Sequence, residues 1–235
     1  MKSIVLMPTY NEAETIEKTV SELLSAVPSV DLLIIDDNSP DGTGAIADRL
    51  ASSDHRIAVL HRHKKRGLGD AYVAGFAQCL ENGYSHLIEM DADGSHRAED
   101  LRQLLLAAPA ADLVIGSRWI SGGEVANWSK LRQAISRAGN GYAKWTLRSN
   151  VSDMTSGFRV YSAQLLRRLP LSRVQAHGYA FQVEMTLRSE LLSAKIVEVP
   201  IRFVEREGGR SKMSFWIVVE AFALCTLWGL VPPRQ

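Results

Sequence analysis

The chain has 235 residues, 46% of them hydrophobic and 23% charged, and its formal net charge is +1 at pH 7. That length suits one large α/β domain with appendages or two small domains, and we take the first as the expectation. The even charge excludes the global basic field that wrapping nucleic acid requires, so no nucleic-acid partner is expected and partners must be argued locally. Cys79 and Cys225 are the only cysteines, far apart and in apolar helical contexts. They read as buried free thiols in a reducing compartment rather than as a disulfide or a metal pair.

Ile4 to Met7 is a short apolar run closed by Pro8, which is far too brief for the core of a secretion signal. Thr9, Tyr10, Asn11 and Glu12 follow, then a helical face carrying Ile16, Val20, Leu23 and Leu24. A second apolar run, Leu32 to Ile35, ends in Asp36-Asp37-Asn38-Ser39-Pro40-Asp41-Gly42-Thr43 and leads to a helix through Ile46, Ala47 and Leu50. A third strand over 57–60 meets the basic run His61 to Arg66, then Gly67-Leu68-Gly69 and an Ala-rich helix to Leu80. A fourth ends at Met90-Asp91-Ala92-Asp93-Gly94-Ser95-His96, and Leu113-Val114-Ile115 is a fifth. Alternating helices and near-continuous apolar strands predict a mostly parallel sheet with helices on both faces. Ligands of such sheets lie beyond the carboxyl ends of the strands, where the polar clusters of this chain fall.

Downstream, the pattern predicts a basic amphipathic helix over 131–147. Ile135, Ala138, Tyr142 and Trp145 lie on one side of it, with Arg137, Lys144 and Arg148 roughly opposite. Packing on the sheet and an interfacial membrane role are both open for it. A helix over 178–191, a single strand over 195–204 and a basic Gly-rich turn over 205–212 follow. The stretch 214–231 is apolar on nearly all sides, with Trp216 and Trp228, but Glu220 interrupts it, so a buried, interfacial or partner-docked helix is expected rather than a membrane span.

Asp91 and Asp93 are one residue apart at a strand end, so in extended backbone they face one side and suit a hard divalent cation. A cation held by so few carboxylates completes its shell with water and substrate phosphates, which points to a diphosphate ligand. The alternative is that the pair merely caps the next helix. His86, His96 and His177 fit no compact zinc set.

Taken together, the Pro8–Glu12 and Asp36–Thr43 runs, Gly67-Leu68-Gly69, Met90-Asp91-Ala92-Asp93, Gly116-Ser117-Arg118, Thr155-Ser156-Gly157-Phe158-Arg159 and Ser211-Lys212 resemble, in order and spacing, the dolichol-phosphate mannose synthases. These are family-two glycosyltransferases with the GT-A fold. The resemblance implies a catalytic domain over 1–213 and an apolar helix over 214–235. It implies that Pro8, Tyr10, Glu12, Asp36, Asp37, Asp91, Ala92, Asp93, Arg118, Arg206 and Lys212 hold GDP-mannose. The metal, magnesium or manganese, would fall to Asp91 and Asp93, with Ser95 where some relatives have Gln. The acceptor phosphate would fall to Arg118, Arg132 and Ser136, and the catalytic work to Asp91, Asp93, Arg118 and Lys212.

The implied reaction transfers mannose, with inversion, to a polyprenyl or dolichyl monophosphate. Such an acceptor is already anionic and needs no general base; positioning and charge neutralisation are the work that remains. A saccharide acceptor, the closest rival, would require one, and Glu124 and Asp153 are the carboxylates available in that region. A rival of another class is a non-catalytic membrane-docked scaffold. The expected location is the cytoplasmic face of a membrane, peripherally bound, with a separate membrane subunit left open.

Overall fold

A computed structural model describes residues 2–174, 176, 178–205 and 215–233, with the backbone alone for Tyr179 and residues 215–219. Residues 206–212 of the expected basic turn, Arg206, Ser211 and Lys212 among them, lie outside the described residues, as do His177 and the side chain of Trp216.

The chain begins as four strand–helix units: β1 (Ser3–Thr9) and α1 (Ile16–Ala26), β2 (Val30–Asp36) and α2 (Thr43–Ser53), β3 (Ile57–His61) and α3 (Leu68–Glu81), β4 (His86–Glu89) and α4 (Ala98–Ala107). Next come β5 (Leu113–Ser117), β6 (Glu124–Ala126), α5 (Lys130–Leu147), β7 (Arg159–Ser162), α6 (Ala163–Arg168), α7 (Tyr179–Leu191), β8 (Ile196–Pro200), β9 (Arg202–Val204) and α8 (Phe215–Leu230). Seven strands form one sheet in the order β3-β2-β1-β4-β7-β5-β8. Every pairing in it is parallel except the two that β7 makes.

Alternate side chains of β1 enter opposite layers. Ile4 and Leu6 pack with Tyr72, Phe76 and Phe181 of α3 and α7. Val5 and Met7 pack with Ile16, Val20 and Leu23 of α1 and with Leu101 and Leu104 of α4. Apolar residues on both faces of a strand are what a sheet covered on two sides demands, and each buried Leu or Ile contributes about 1.5–3 kcal/mol relative to exposure.

From β1 the chain builds outward to β2 and β3, then returns through α3 to place β4 on the other side of β1. That reversal parts the connecting loops and opens a crevice at the carboxyl ends of β1 and β4, the place where such sheets take their ligands.

The antiparallel β7 was not foreseen, because Arg-Val-Tyr-Ser is short and starts on a charge. Its register sets Arg159 opposite Glu89, with both side chains fully buried. Arg159 donates to the carbonyls of Met154, Ser156 and Gln182 and to Thr186 Oγ1 and Tyr161 Oη, at 2.7–3.3 Å. It therefore ties the 154–156 loop to α7. The expected single strand over 195–204 is two strands: β8 closes the large sheet, while β9 pairs with β6 in a separate two-stranded sheet. The break comes at Ile201, which is buried among the residues packed with α1 and α4.

Among the described residues no helix is long and apolar enough to cross a membrane. Helix α8 packs on α5 and α7. Tyr142, on the apolar side for which packing and a membrane role were both open, turns toward α8: its hydroxyl lies 2.6 Å from that of Thr226 and its ring 4.8 Å from Phe222. Trp228 is likewise buried rather than interfacial. What stays outward is Leu131, Ile135 and Trp145 of α5 (71%, 55% and 78% exposed), with Phe222, Leu227 and Leu230 of α8 and the adjoining Val231. Cys79 and Cys225 are free and buried, and burial pushes their thiols up to about 12 and about 11.

Candidate active site

The crevice holds a cavity of about 390 Å³. The loops after β1 and β2 build one end of it by bonding to each other. Asn11 N donates to Ser39 Oγ, Glu12 N to Thr43 Oγ1 and Ala13 N to Asp41 Oδ2, each at 3.0–3.1 Å. Asp36 is spent on this scaffold: its carboxylate accepts from Ser39 Oγ, Ser39 N and Thr9 Oγ1, and it does not line the cavity. Its neighbour does. Asp37 lines the cavity and is paired with Arg62 at 2.6 Å. Burial raises its carboxyl above the ordinary value, with Arg62 opposing. Pro8, Tyr10 and Glu12 line the same end, where Lys65 Nζ stands 4.0 Å from the centre of the Tyr10 ring.

Asp91, Ala92, Asp93 and Ser95 form the middle of the cavity. Gly94 takes a φ of +74°, which turns the chain back at once after the carboxylates. Ser95 N and Oγ both donate to Asp93 Oδ1 and so orient that carboxylate. His96 reaches back to accept from Asp91 N at 3.1 Å, and its ring stacks on Phe158 at 4.8 Å. Burial pushes its imidazole down to about 4, with Asp93 opposing and Arg118 adding, so the ring is neutral near pH 7. Neither Asp91 nor Asp93 caps α4, whose N-cap is Arg97.

The far end is basic and aromatic. Arg118 is buried and bidentate on Asp153, with Nε to Oδ2 and Nη2 to Oδ1 both at 2.7 Å. Its own backbone N–H also donates to Oδ2, and Nη2 donates to Thr155 Oγ1 at 2.8 Å. Burial raises the Asp153 carboxyl, and the charge and hydrogen bonds of Arg118 outweigh it, leaving the group below its ordinary value. Arg132, at the start of α5, pairs with Glu205 and stacks 4.0 Å above Trp128, whose buried indole N–H has no hydrogen-bond partner among the described residues. Ser136 is one turn further along α5 and is not part of the cavity wall. Gly157, Gln182 and Phe203 complete it. Gln182 carries no local signal because it sits in the interior of a helix, whereas His96 stands in the motif, where the sequence argues only against a zinc role for it.

The donors in the middle of the cavity are two carboxylates, with no thiolate among them and with the nearest imidazole already accepting from the backbone. That set fits a hard divalent cation. The crevice thus has a carboxylate pair at its centre, acidic and aromatic groups on one side and guanidinium groups, which suit anions, on the other.

Comparison with known proteins gives the chain its family. Residues 4–170 match the family described as Glycosyl transferase family 2, and the chain belongs to it. It is 52% identical over 230 residues to the undecaprenyl-phosphate mannosyltransferase of Micrococcus luteus, covering 98% of this chain and 95% of that protein. It is 47% identical over 231 residues to the polyprenol monophosphomannose synthase of Mycolicibacterium smegmatis, covering 97% and 87%. Among solved structures, it resembles the mannosyltransferase PcManGT of Pyrobaculum calidifontis in complex with GDP-Man and Mn2+. The TM-score is 0.59 at 16% identity, over 89% of this chain and 58% of that one. The S. aureus TarS 1-349 complex with UDP-GlcNAc matches with a TM-score of 0.67 at 17% identity, over 100% and 68%. At those identities the likeness is one of fold, the GT-A fold.

Proposed function

We propose that this protein transfers mannose from GDP-mannose to a polyprenyl monophosphate, inverting the anomeric centre. The observation that carries the proposal is the start of α5, where Arg132 lines the cavity while its neighbours Leu131 and Ile135 stand exposed on the outside. A phosphate bound by Arg132 and Arg118 would leave an attached polyprenyl chain on that apolar surface. The names of the two curated relatives agree with such an acceptor, and GDP-mannose is the donor in the P. calidifontis complex.

Pro8, Tyr10, Glu12 and Asp37 would take the nucleoside: carboxylates accept from base and ribose donors, and the Tyr10 ring gives a base a face to pack on. Asp91 and Asp93 would hold magnesium or manganese, which when bound neutralises charge on the leaving diphosphate. Arg118, held rigid by Asp153 and Thr155, presents a fixed positive charge near both anions, and the Trp128 indole adds a donor. Arg206 and Lys212 would add cations from outside the described residues.

The acceptor phosphate is anionic near pH 7, so it attacks without giving up a proton. A saccharide hydroxyl would need a base. Asp153 is committed to Arg118, and Glu124 is exposed and faces Arg202 at 3.5 Å. Neither is set to take a proton, which favours the phosphate acceptor.

We further infer that residues 1–213 are the catalytic domain and that the helix over 214–235 stays with it. On this reading the protein sits peripherally on the cytoplasmic face of a membrane through the exposed apolar side chains of α5 and α8. The test is a donor panel. Purified protein with a short polyprenyl phosphate and magnesium or manganese is offered GDP-mannose, GDP-glucose, UDP-glucose and UDP-N-acetylglucosamine, and the anomeric configuration of the product is read by NMR. A β-mannosyl phosphate from GDP-mannose alone is expected. Transfer from another donor with none from GDP-mannose refutes the reading.

A further inference from the structure

Next to the carboxylate pair the cavity wall has a gap that no side chain of the described residues fills. A Cβ added to Gly157 would stand 3.8 Å from each of Asp91 Oδ1, Gln182 Nε2 and His96 Cε1. All four residues line the cavity. Gln182 is buried, and its Nε2 donates to Glu89 Oε2 at 2.7 Å. Burial raises the Glu89 carboxyl to about 7, with Arg159 and the Gln182 amide opposing, so above that pH it is a carboxylate and the bond sets the amide N–H toward it. Nε2 also has a second N–H beyond the one given to Glu89.

We propose that the space over Gly157 is the subsite for one hydroxyl of the donor's sugar ring, which accepts from Gln182 Nε2 and donates to Asp91 Oδ1. Gln182 is then a specificity-determining residue. The inference rests on reading the cavity as a sugar-nucleotide site. A hydroxyl is both donor and acceptor and so answers one N–H and one carboxylate oxygen together, whereas a sugar lacking that hydroxyl, or holding it in the other configuration, leaves both unmet. A carboxylate has about four lone-pair sites, so accepting this proton leaves Asp91 able to ligate a cation as well. Glycine is required for room and not for backbone shape, since Gly157 is not among the positive-φ residues. The 3.8 Å distances are ordinary contacts, so an alanine fits the fold and fills the subsite.

The test uses Gln182→Met and Gly157→Ala in the full-length protein with magnesium or manganese. Calorimetry measures binding of GDP and of GDP-mannose, and turnover is measured with GDP-mannose and GDP-glucose. GDP affinity should be unchanged in both variants. Gln182→Met should lose about 10- to 100-fold in kcat/KM for GDP-mannose, and, because mannose and glucose differ only in configuration at C2, a matching fall in the preference for mannose identifies the C2 hydroxyl as the one bound. Gly157→Ala should keep GDP binding and lose GDP-mannose binding. Loss of GDP affinity in step with GDP-mannose, or a Gln182→Met enzyme within twofold of wild type in rate and sugar preference, overturns the inference alone. Wild-type protein that neither binds nor turns over GDP-mannose overturns the donor reading and this inference with it, and that result is seen before any variant is made.

Discussion

Asp153→Asn isolates the clamp that holds Arg118. The carboxylate accepts three hydrogen bonds from Arg118 at 2.7–2.9 Å and one from Thr155 Oγ1 at 3.3 Å, with Asp153 fully buried and Arg118 nearly so. Removing one partner of such a pair costs about 3–5 kcal/mol because the remaining charge stays buried. Asparagine keeps one acceptor oxygen but turns an NH2 toward a guanidinium N–H, which places the expected loss near the lower end, about 3 kcal/mol. For a chain of this size that lowers Tm by about 6–12 °C. The pH dependence has a definite sign. The folded carboxyl lies below its ordinary value of 3.8, so the stabilisation is full above 3.8 and is lost as pH falls below it. The gap between wild type and variant, followed by thermal melts, should therefore be constant near neutrality and close in acid. Turnover should fall with the loss of a fixed Arg118 while GDP binding at the Tyr10 end persists. A Tm within about 2 °C of wild type together with full turnover would refute the clamp.

Asp91→Ala or Asp93→Ala should each lower turnover by at least about 100-fold and weaken donor binding only when metal is present, which titration with and without chelator checks. Arg159→Met, which leaves the buried carbonyls of Met154, Ser156 and Gln182 without their donor, should destabilise by about 3–5 kcal/mol in denaturant unfolding. Gly229→Val should loosen α8, because a Cβ there would stand 2.6–2.7 Å from Thr146 Cγ2 and its carbonyl oxygen. The expected loss is about 1–3 kcal/mol, read by melts and by proteolysis at the C-terminal helix. Changing Leu131, Ile135 and Trp145 together to Ser should cut cosedimentation with anionic vesicles by about tenfold while sparing GDP binding, whereas Tyr142→Phe, which faces α8, should leave vesicle binding intact.

The parallel sheet was legible from the chain because a strand buried on both faces must be apolar throughout, and the runs at Ile4, Leu32 and Leu113 are. The cluster of polar loops at strand ends, the Asp91–Asp93 pair and Arg118 were legible for the same reason: motifs local in sequence carry their own geometry. Strand order was not, and it is the placement of β4 beside β1 that opens the crevice where those loops meet. Adjacent residues with one chemistry, Asp36 and Asp37, parted when the fold gave one to a turn and the other to the cavity. Asp153, Gln182 and Arg159 acquire meaning only from partners 35, 93 and 23 residues away. The direction Tyr142 and Trp228 face was decided by α8 docking on α5, since an amphipathic pattern marks an apolar side without saying whether lipid or another helix will cover it.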